Sequence, residues 1–593
     1  MGSAGRFQGN WKGLTVVTVV CLAGLLPFVD KAFHIDDTLF LRVARQIHEH
    51  PTDFYGFRII WYFTEKPMAQ ITKNPPLAAY FTALVTSVWG WGELPLHLAF
   101  LVPALGVAWG SYYLAQRFCS RPALAAIIGM LTPAFLVSST SIMCDTMMLA
   151  FWLWAMICWD RGISQRRAGL LIAAALLIGL GFLTKYFAVS LIPLLFAYSW
   201  RLRRRPWGWW LLPLLIPVAI MAGYQWLTHR LYDQDLFSDA INYAKEVQHK
   251  SSHFASLWDK LVIGLTFAGG CLASAAFFFP WLWSRRGVGL WLVAIGCLVY
   301  VLYIRGHLGP FKLVLHGEED IPDSVRWSAI LQIGLLAIAG AGVLALALMD
   351  LWERRDPSSL LLFLWVFGTF IFTAFVNWTV NARSIFPAAP AVGILVVRRL
   401  ERLQRLSAGW IQWRLMAPVA GAAILSMLVA RADYQFANSA RQAALEIHHR
   451  FADLPGTIWF EGHWGFQYYM EEHGAHILDT DTMHCEPGDL AVLPLNNCDL
   501  YMLPADSTEK IEPSVVVPTS AWDWTSKVFG GHPLGIATMH PILLAGFYAT
   551  GFGPLPFVFG DVPKDEYVLY QVTKPIHAAI HFQGKAPKFE MIH

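Results

Sequence analysis

The sequence predicts an α-helical polytopic membrane protein of about 13 transmembrane helices, closed by a C-terminal extracytoplasmic α/β domain. Three observations lead there. The 593 residues are 56% hydrophobic and 14% charged, against about 25% charged in soluble domains. Thirteen apolar runs reach or approach the roughly 20 residues that a span requires. From about residue 431 these runs stop, and short strand-like and helix-like segments alternate in their place. The net charge of +3 gives no support to nucleic-acid binding.

The spans read as 13–30, 94–116, 121–142, 145–159, 168–184, 186–200, 207–227, 261–283, 288–304, 327–349, 358–376, 384–397 and 411–430. Basic residues precede the first, in "MGSAGRFQGNWKG", and no small-residue cleavage site follows. It is therefore expected to remain as an uncleaved span. A fourteenth run, 75–91 ("PPLAAYFTALVTSVWGW"), sets the parity of everything after it. If it lies along the membrane, Arg117/Arg121, Arg161/Arg166/Arg167, Arg201 to Arg205, Arg285/Arg286, Arg354/Arg355 and Arg398/Arg399/Arg402/Arg405 all join the N-terminus in the cytoplasm. If it crosses, every cluster moves outside, against the positive-inside rule. The non-crossing reading is the one adopted, and it puts the C-terminus outside.

The transmembrane part is then 1–430, with 31–93 as its first outer loop, and the soluble domain is 431–593. Within that loop Leu39, Phe40, Val43 and Ile47 share one face of a helix whose other faces carry Arg42, Arg45 and Glu49, the pattern of a helix lying in the interface. In the tail, "GTIWFEGHWGFQYYMEEHGAHI" reads as strand then helix. "DLAVLPL", "SVVVP" and "EYVLYQVTK" read as further strands. Six cysteines lie in or beside apolar runs. Cys485 and Cys498 lie in the tail, where an oxidising compartment leaves a disulfide open. No nucleotide-binding fingerprint or nucleophile elbow is present.

This topology gathers both signs of charge at the outer ends of the helices: Asp36 and Asp37 after the first span, Asp145, Lys185 and Arg383. The cytoplasmic clusters are purely basic. Each group also has an ordinary reading. Asp36 and Asp145 are good N-caps, and Lys185 and Arg383 are long enough to reach lipid headgroups. "ITKNPPLAAYF" adds a rigid turn, because proline confines its predecessor to extended geometry; it brings Lys73 and Asn74 toward the same face. Such a set suits transfer to a hydroxyl or amine. A carboxylate takes the acceptor's proton, and a cation stabilises a departing phosphate.

The ordered set "HIDDTLFLRVARQI", "NPPLAAY", "CDTMMLAFWLWAMICWDRG", "GLGFLTK" and "RSIFPAAP" resembles the GT-C membrane glycosyltransferases, in particular the protein O-mannosyltransferase and lipid A aminoarabinose transferase branches. The resemblance covers about residues 13–400. It implies a GT-C fold and inverting transfer of one sugar from a polyprenyl-phosphate donor to an extracytoplasmic lipid, glycan or protein; the compact chain with few long loops points to a bacterial inner membrane, with an archaeal membrane as the alternative. Asp36 matches the family's first-loop acid, as general base or acceptor-positioning group, with Asp37 and Asp145 as further acids. Lys185 and Arg383 match its donor-phosphate residues, and Lys73 and Asn74 stand at a loop contributing to the site. Thr38-Leu39-Phe40 replaces the Thr-Arg-Tyr of aminoarabinose transferases, and Lys73-Asn74-Pro75 replaces their Glu-Lys-Pro, so neither that sugar nor lipid A follows. No cofactor is obligatory in these branches. Paired acids do suit Mg²⁺ or Mn²⁺, although adjacent carboxylates at a helix start point apart. The alternative activity is transport or lipid flipping, for which repeated halves and mid-membrane polar sites are the usual signs; neither is apparent.

Overall fold

The computed structural model describes residues 11–577 apart from 62–63, 204–207, 252–254, 316–323, 407–412, 499, 501–502 and 518–533. Of the basic residues used above, Arg6, Arg204 and Arg205 lie outside the described residues.

Each apolar run falls on helix. Among the described residues seven helices are long and apolar enough to cross a membrane, or up to nine when two bent pairs are each counted as one span. In one pair Pro122–Met130 and Pro133–Ser139 meet at 69°. Pro133 has no N–H to continue the first helix, and Thr132 caps the second by accepting the Phe135 N–H at 3.1 Å. In the other, Leu257–Cys271 and Ala273–Leu282 meet at 74°. Close backbone approach holds the bundle together. A Cβ on Gly269 would lie 1.8 Å from the Leu336 carbonyl oxygen, which only a glycine permits.

Leu77–Trp89 is a 13-residue helix, about 20 Å long by rise and short of the roughly 30 Å apolar core. The amphipathic helix is Asp37–Glu49, and it packs on Leu77–Trp89. Its polar face meets protein as well. Arg42 pairs with Glu471, and Arg45 with Glu472 at 2.6 Å. A hairpin that the sequence pattern does not announce, Arg58–Trp61 with Thr64–Pro67, follows it.

The arginine clusters at the far end of the bundle do not have the purely basic surroundings that the sequence suggests. Arg398 donates to Asp350 at 2.9 Å and to the Ser359 hydroxyl at 2.8 Å, and Arg399 to Glu353 at 2.8 Å. Asp350 and Glu353 adjoin Arg354 and Arg355 in the sequence, so helix packing brings one cluster's neighbouring acids to another.

One helix, Trp413–Arg450, runs unbroken for 38 residues from the bundle into the C-terminal region, so residue 431 falls inside it. Beyond it lies a five-stranded mixed sheet, ordered Thr508–Val517, Asp565–Val572, Leu490–Pro494, Ile458–Phe460, His476–Ile477. Ile458–Phe460 runs parallel to both of its neighbours. The helix Trp464–Glu472 crosses between it and His476–Ile477, the strand–helix–strand unit read from "GTIWFEGHWGFQYYMEEHGAHI". Cys485 and Cys498 are both free thiols.

The C-terminal region sits directly on the first loop. A Cβ on Gly465 would lie 2.2 Å from the Phe33 carbonyl oxygen. Gly465→Ala is therefore expected to cost about 1–3 kcal/mol through overpacking. A lowered melting midpoint, with earlier proteolysis between the bundle and the sheet, is the readout; an unchanged midpoint would refute the contact.

Candidate active site

The loop after the first span turns sharply at Ile35, whose φ of +48° is rare for a β-branched residue. Burial of Ile35 holds this conformation. The turn starts the helix at Asp37 and leaves Asp36 as its N-cap residue, yet the Asp36 carboxylate makes no capping bond. It accepts instead from Arg383 Nη1 at 2.9 Å. Asp145 likewise caps nothing: it lies in the first turn of Cys144–Gln165, 1% exposed, and takes a hydrogen bond from Lys185. Lys185 is where Ala168–Thr184 ends. Both cations are turned into the protein, Arg383 being 11% exposed and Lys185 20%. The capping and headgroup-reaching readings of these four residues are therefore not the ones adopted by the fold.

The two ion pairs line one cavity of about 670 Å³, together with Lys73, Asn74 and Lys245. Lys73 donates to the Gln70 carbonyl at 2.7 Å and lies over the Tyr243 ring at 5.0 Å. Partial burial lowers its pKa, with Asp239 opposing. The Asn74 carbonyl accepts from the Tyr55 hydroxyl at 2.7 Å, which fixes the Pro75-Pro76 turn. Among the described residues four cations thus face two carboxylates, a balance that favours an anionic guest. Arg383 Nε and Asp145 Oδ2 are buried and have no hydrogen-bond partner among the described residues.

Asp37 stands apart. It is fully buried and does not line the cavity. Its carboxyl accepts the backbone N–H of His34 at 3.1 Å and of Ile142 at 3.0 Å, tying the first loop to the turn before Cys144–Gln165. Burial pushes its pKa up to about 7, against Lys31 and the two backbone donors. The sequence groups it with the catalytic acids; its position is that of a strut beneath Asp36. Among the described residues no three His, Cys, Asp or Glu side chains converge on a metal-sized site.

Much of the wall lies beyond the residues that the sequence singles out. Leu236–Ser251 supplies Phe237, Ile241 and Tyr243, and the C-terminal region supplies Trp464, Tyr548 and Phe552. Trp464 is held at φ +63° and Leu544, just before the Tyr548 segment, also at +63°. Non-glycine residues in this region carry strain and cluster at functional sites. A signal for the second segment does exist in "LLAGFYATGFGPLPF", where glycines alternate with aromatics. A Cβ on Gly546 would lie 2.3 Å from the Ala549 carbonyl oxygen, so the glycines allow a tight turn that presents the rings.

Residues 73–224 match the family model described as dolichyl-phosphate-mannose-protein mannosyltransferase. The match spans about a quarter of the chain. The matched stretch holds Lys73, Asn74, Asp145 and Lys185, while Asp36 and Arg383 lie outside it. No curated protein sequence matches. Among solved structures the chain is similar to the Archaeoglobus fulgidus oligosaccharyltransferase in its apo form, at 12% identity and a TM-score of 0.43, covering 80% of this chain. It spans 65% of that protein's length. It is also similar to ArnT from Cupriavidus metallidurans in the apo state, at 14% identity and a TM-score of 0.41, covering 82% of this chain and 92% of that one. The same ArnT bound to undecaprenyl phosphate gives 14% identity and a TM-score of 0.38 over the same shares of the two chains.

Proposed function

We propose that the cavity transfers one sugar from a polyprenyl-phosphate donor to a hydroxyl or amine of an extracytoplasmic acceptor, with inversion. The observation that carries this is the convergence of Asp36–Arg383 and Asp145–Lys185 on one cavity with an excess of cations. The apolar side of that cavity, lined by Phe187, Val189, Phe372 and Val376, suits the prenyl chain. The charged pairs suit the phosphate and the reacting centre.

In this reading the acceptor oxygen or nitrogen attacks the anomeric carbon from the face opposite the phosphate. The bond between that carbon and the phosphate oxygen breaks, and the phosphate leaves with the electron pair. Asp36 takes the acceptor's proton. Lys185 and Arg383 neutralise the charge that grows on the phosphate. Arg383 can divide its donors between Asp36 and the phosphate because a guanidinium carries five N–H groups. Asp145 orients Lys185. With both acids already paired to side-chain cations, transfer is expected to persist in excess chelator; loss of activity restored by Mg²⁺ or Mn²⁺ would contradict this.

The protein in lipid nanodiscs, incubated with a set of polyprenyl-phosphate sugars and membrane-derived acceptors, should give a glycosylated product by mass spectrometry, with release of polyprenyl phosphate. Gradient-dependent uptake in proteoliposomes without any covalent product would overturn the reading in favour of a transporter. Asp36, Asp145, Lys185 and Arg383 sit at helix ends, with only Lys245 of the cavity's cations inside a helix, Leu236–Ser251; this favours the enzyme.

A further inference from the structure

The loop that carries Arg383 is fastened by a segment more than 160 residues later in the chain. The Ala382 N–H donates to the Phe547 carbonyl at 2.9 Å, and the Thr550 N–H to the Val380 carbonyl at 3.1 Å and the Thr379 hydroxyl at 3.1 Å. The hydroxyls of Thr379 and Thr550 lie 3.0 Å apart. Between these fastenings Tyr548, 3% exposed, places its ring 5.8 Å from the Arg383 guanidinium carbon. Its hydroxyl donates to Asp433 Oδ2 at 3.0 Å, and the same carboxylate takes Lys31 at 2.5 Å, both partners being fully buried.

We propose that Tyr548 is a positioning residue of the phosphate site, so that the C-terminal segment completes a site otherwise built by the helical bundle. The ring and Asp36 both hold the guanidinium, whose Nη1 also donates to Met143 Sδ at 2.8 Å. Unlike a second carboxylate, the ring leaves the positive charge uncancelled and available to an anion. The Asp433–Lys31 pair anchors the phenol and fixes the ring's plane. This inference rests on the reading of the cavity as a phosphate-donor site.

The test is a double-mutant cycle on binding of undecaprenyl phosphate to the full chain in nanodiscs, read by native mass spectrometry. Tyr548→Leu is expected to weaken binding about threefold to thirtyfold, the span of a cation–π contact. Tyr548→Phe, which keeps the ring, should recover most of that loss. In an Arg383→Ala background Tyr548→Leu should have no further effect, as residues acting through one another are non-additive. An equal loss in both backgrounds, or no loss in either, overturns the proposal. If Tyr548→Leu does not fold, the same cycle with Thr550→Val decides it by the same criterion. Wild-type protein that fails to bind the probe overturns the phosphate-site reading itself, a result separate from any outcome of the cycle.

Discussion

Asp36→Asn is expected to lower sugar transfer by about 10²–10⁴-fold, the usual contribution of a general base, while the protein still folds and binds donor. The substitution keeps the shape of the side chain and an oxygen for Arg383 Nη1 to reach, now 2.9 Å away. It removes the basicity that accepts the acceptor's proton. Because Asp36 is 26% exposed, the fold loses less from this change than from neutralising a fully buried acid. Measurement of kcat and of donor affinity separates the roles: kcat should fall and affinity hold. A variant with wild-type turnover would remove Asp36 from the chemistry altogether.

Lys185→Ala carries two effects that a second substitution can separate. Loss of one charge-stabilising donor is expected to reduce kcat by about 10²–10³-fold. It also strands Asp145, 1% exposed, and breaking one side of a buried pair costs about 3–5 kcal/mol. The double variant Lys185→Ala with Asp145→Asn should recover most of the melting midpoint, because the uncompensated charge is gone. It should recover none of the rate. Recovery of both would reduce Lys185 to a structural counter-ion.

Helix positions are legible because apolar runs are a local signal, and the described parts of all thirteen fall on helix, of which seven to nine are long and apolar enough to cross a membrane. The strands "DLAVLPL" and "EYVLYQVTK" are legible for the same reason, and lie at Leu490–Pro494 and Asp565–Val572. The bend at Thr132-Pro133 has a local signal, the proline and the capping threonine before it, although the apolar run 121–142 reads as one span. The acids facing Arg398 and Arg399 have no such signal, since nothing within a few residues of those arginines names Asp350 or Glu353. At the site, charge at a helix end is enough to select Asp36, Asp145, Lys185 and Arg383, and the cavity contains all four. It is not enough to separate Asp36 from Asp37. Adjacent in sequence, they differ because one backbone turn at Ile35 sends the first into the cavity and the second under it. Tyr548 is out of reach of such reasoning, since its partner in the site is an arginine on a different element, joined to it by contacts between distant parts of the chain.

The Lys31–Asp433 pair has a consequence for how this chain can be divided. Composition draws a seam near residue 430, and a chain ended there would keep Lys31 and lose the carboxylate it pairs with. A lone ammonium in an apolar interior is not a stable arrangement, and the loop leading to Asp36 would have to rearrange to free it. Cutting the other way leaves Asp433 without its cation. Chimeras that exchange the C-terminal half with a relative's should therefore succeed only when the lysine and the aspartate travel together, whatever the similarity of the parts joined.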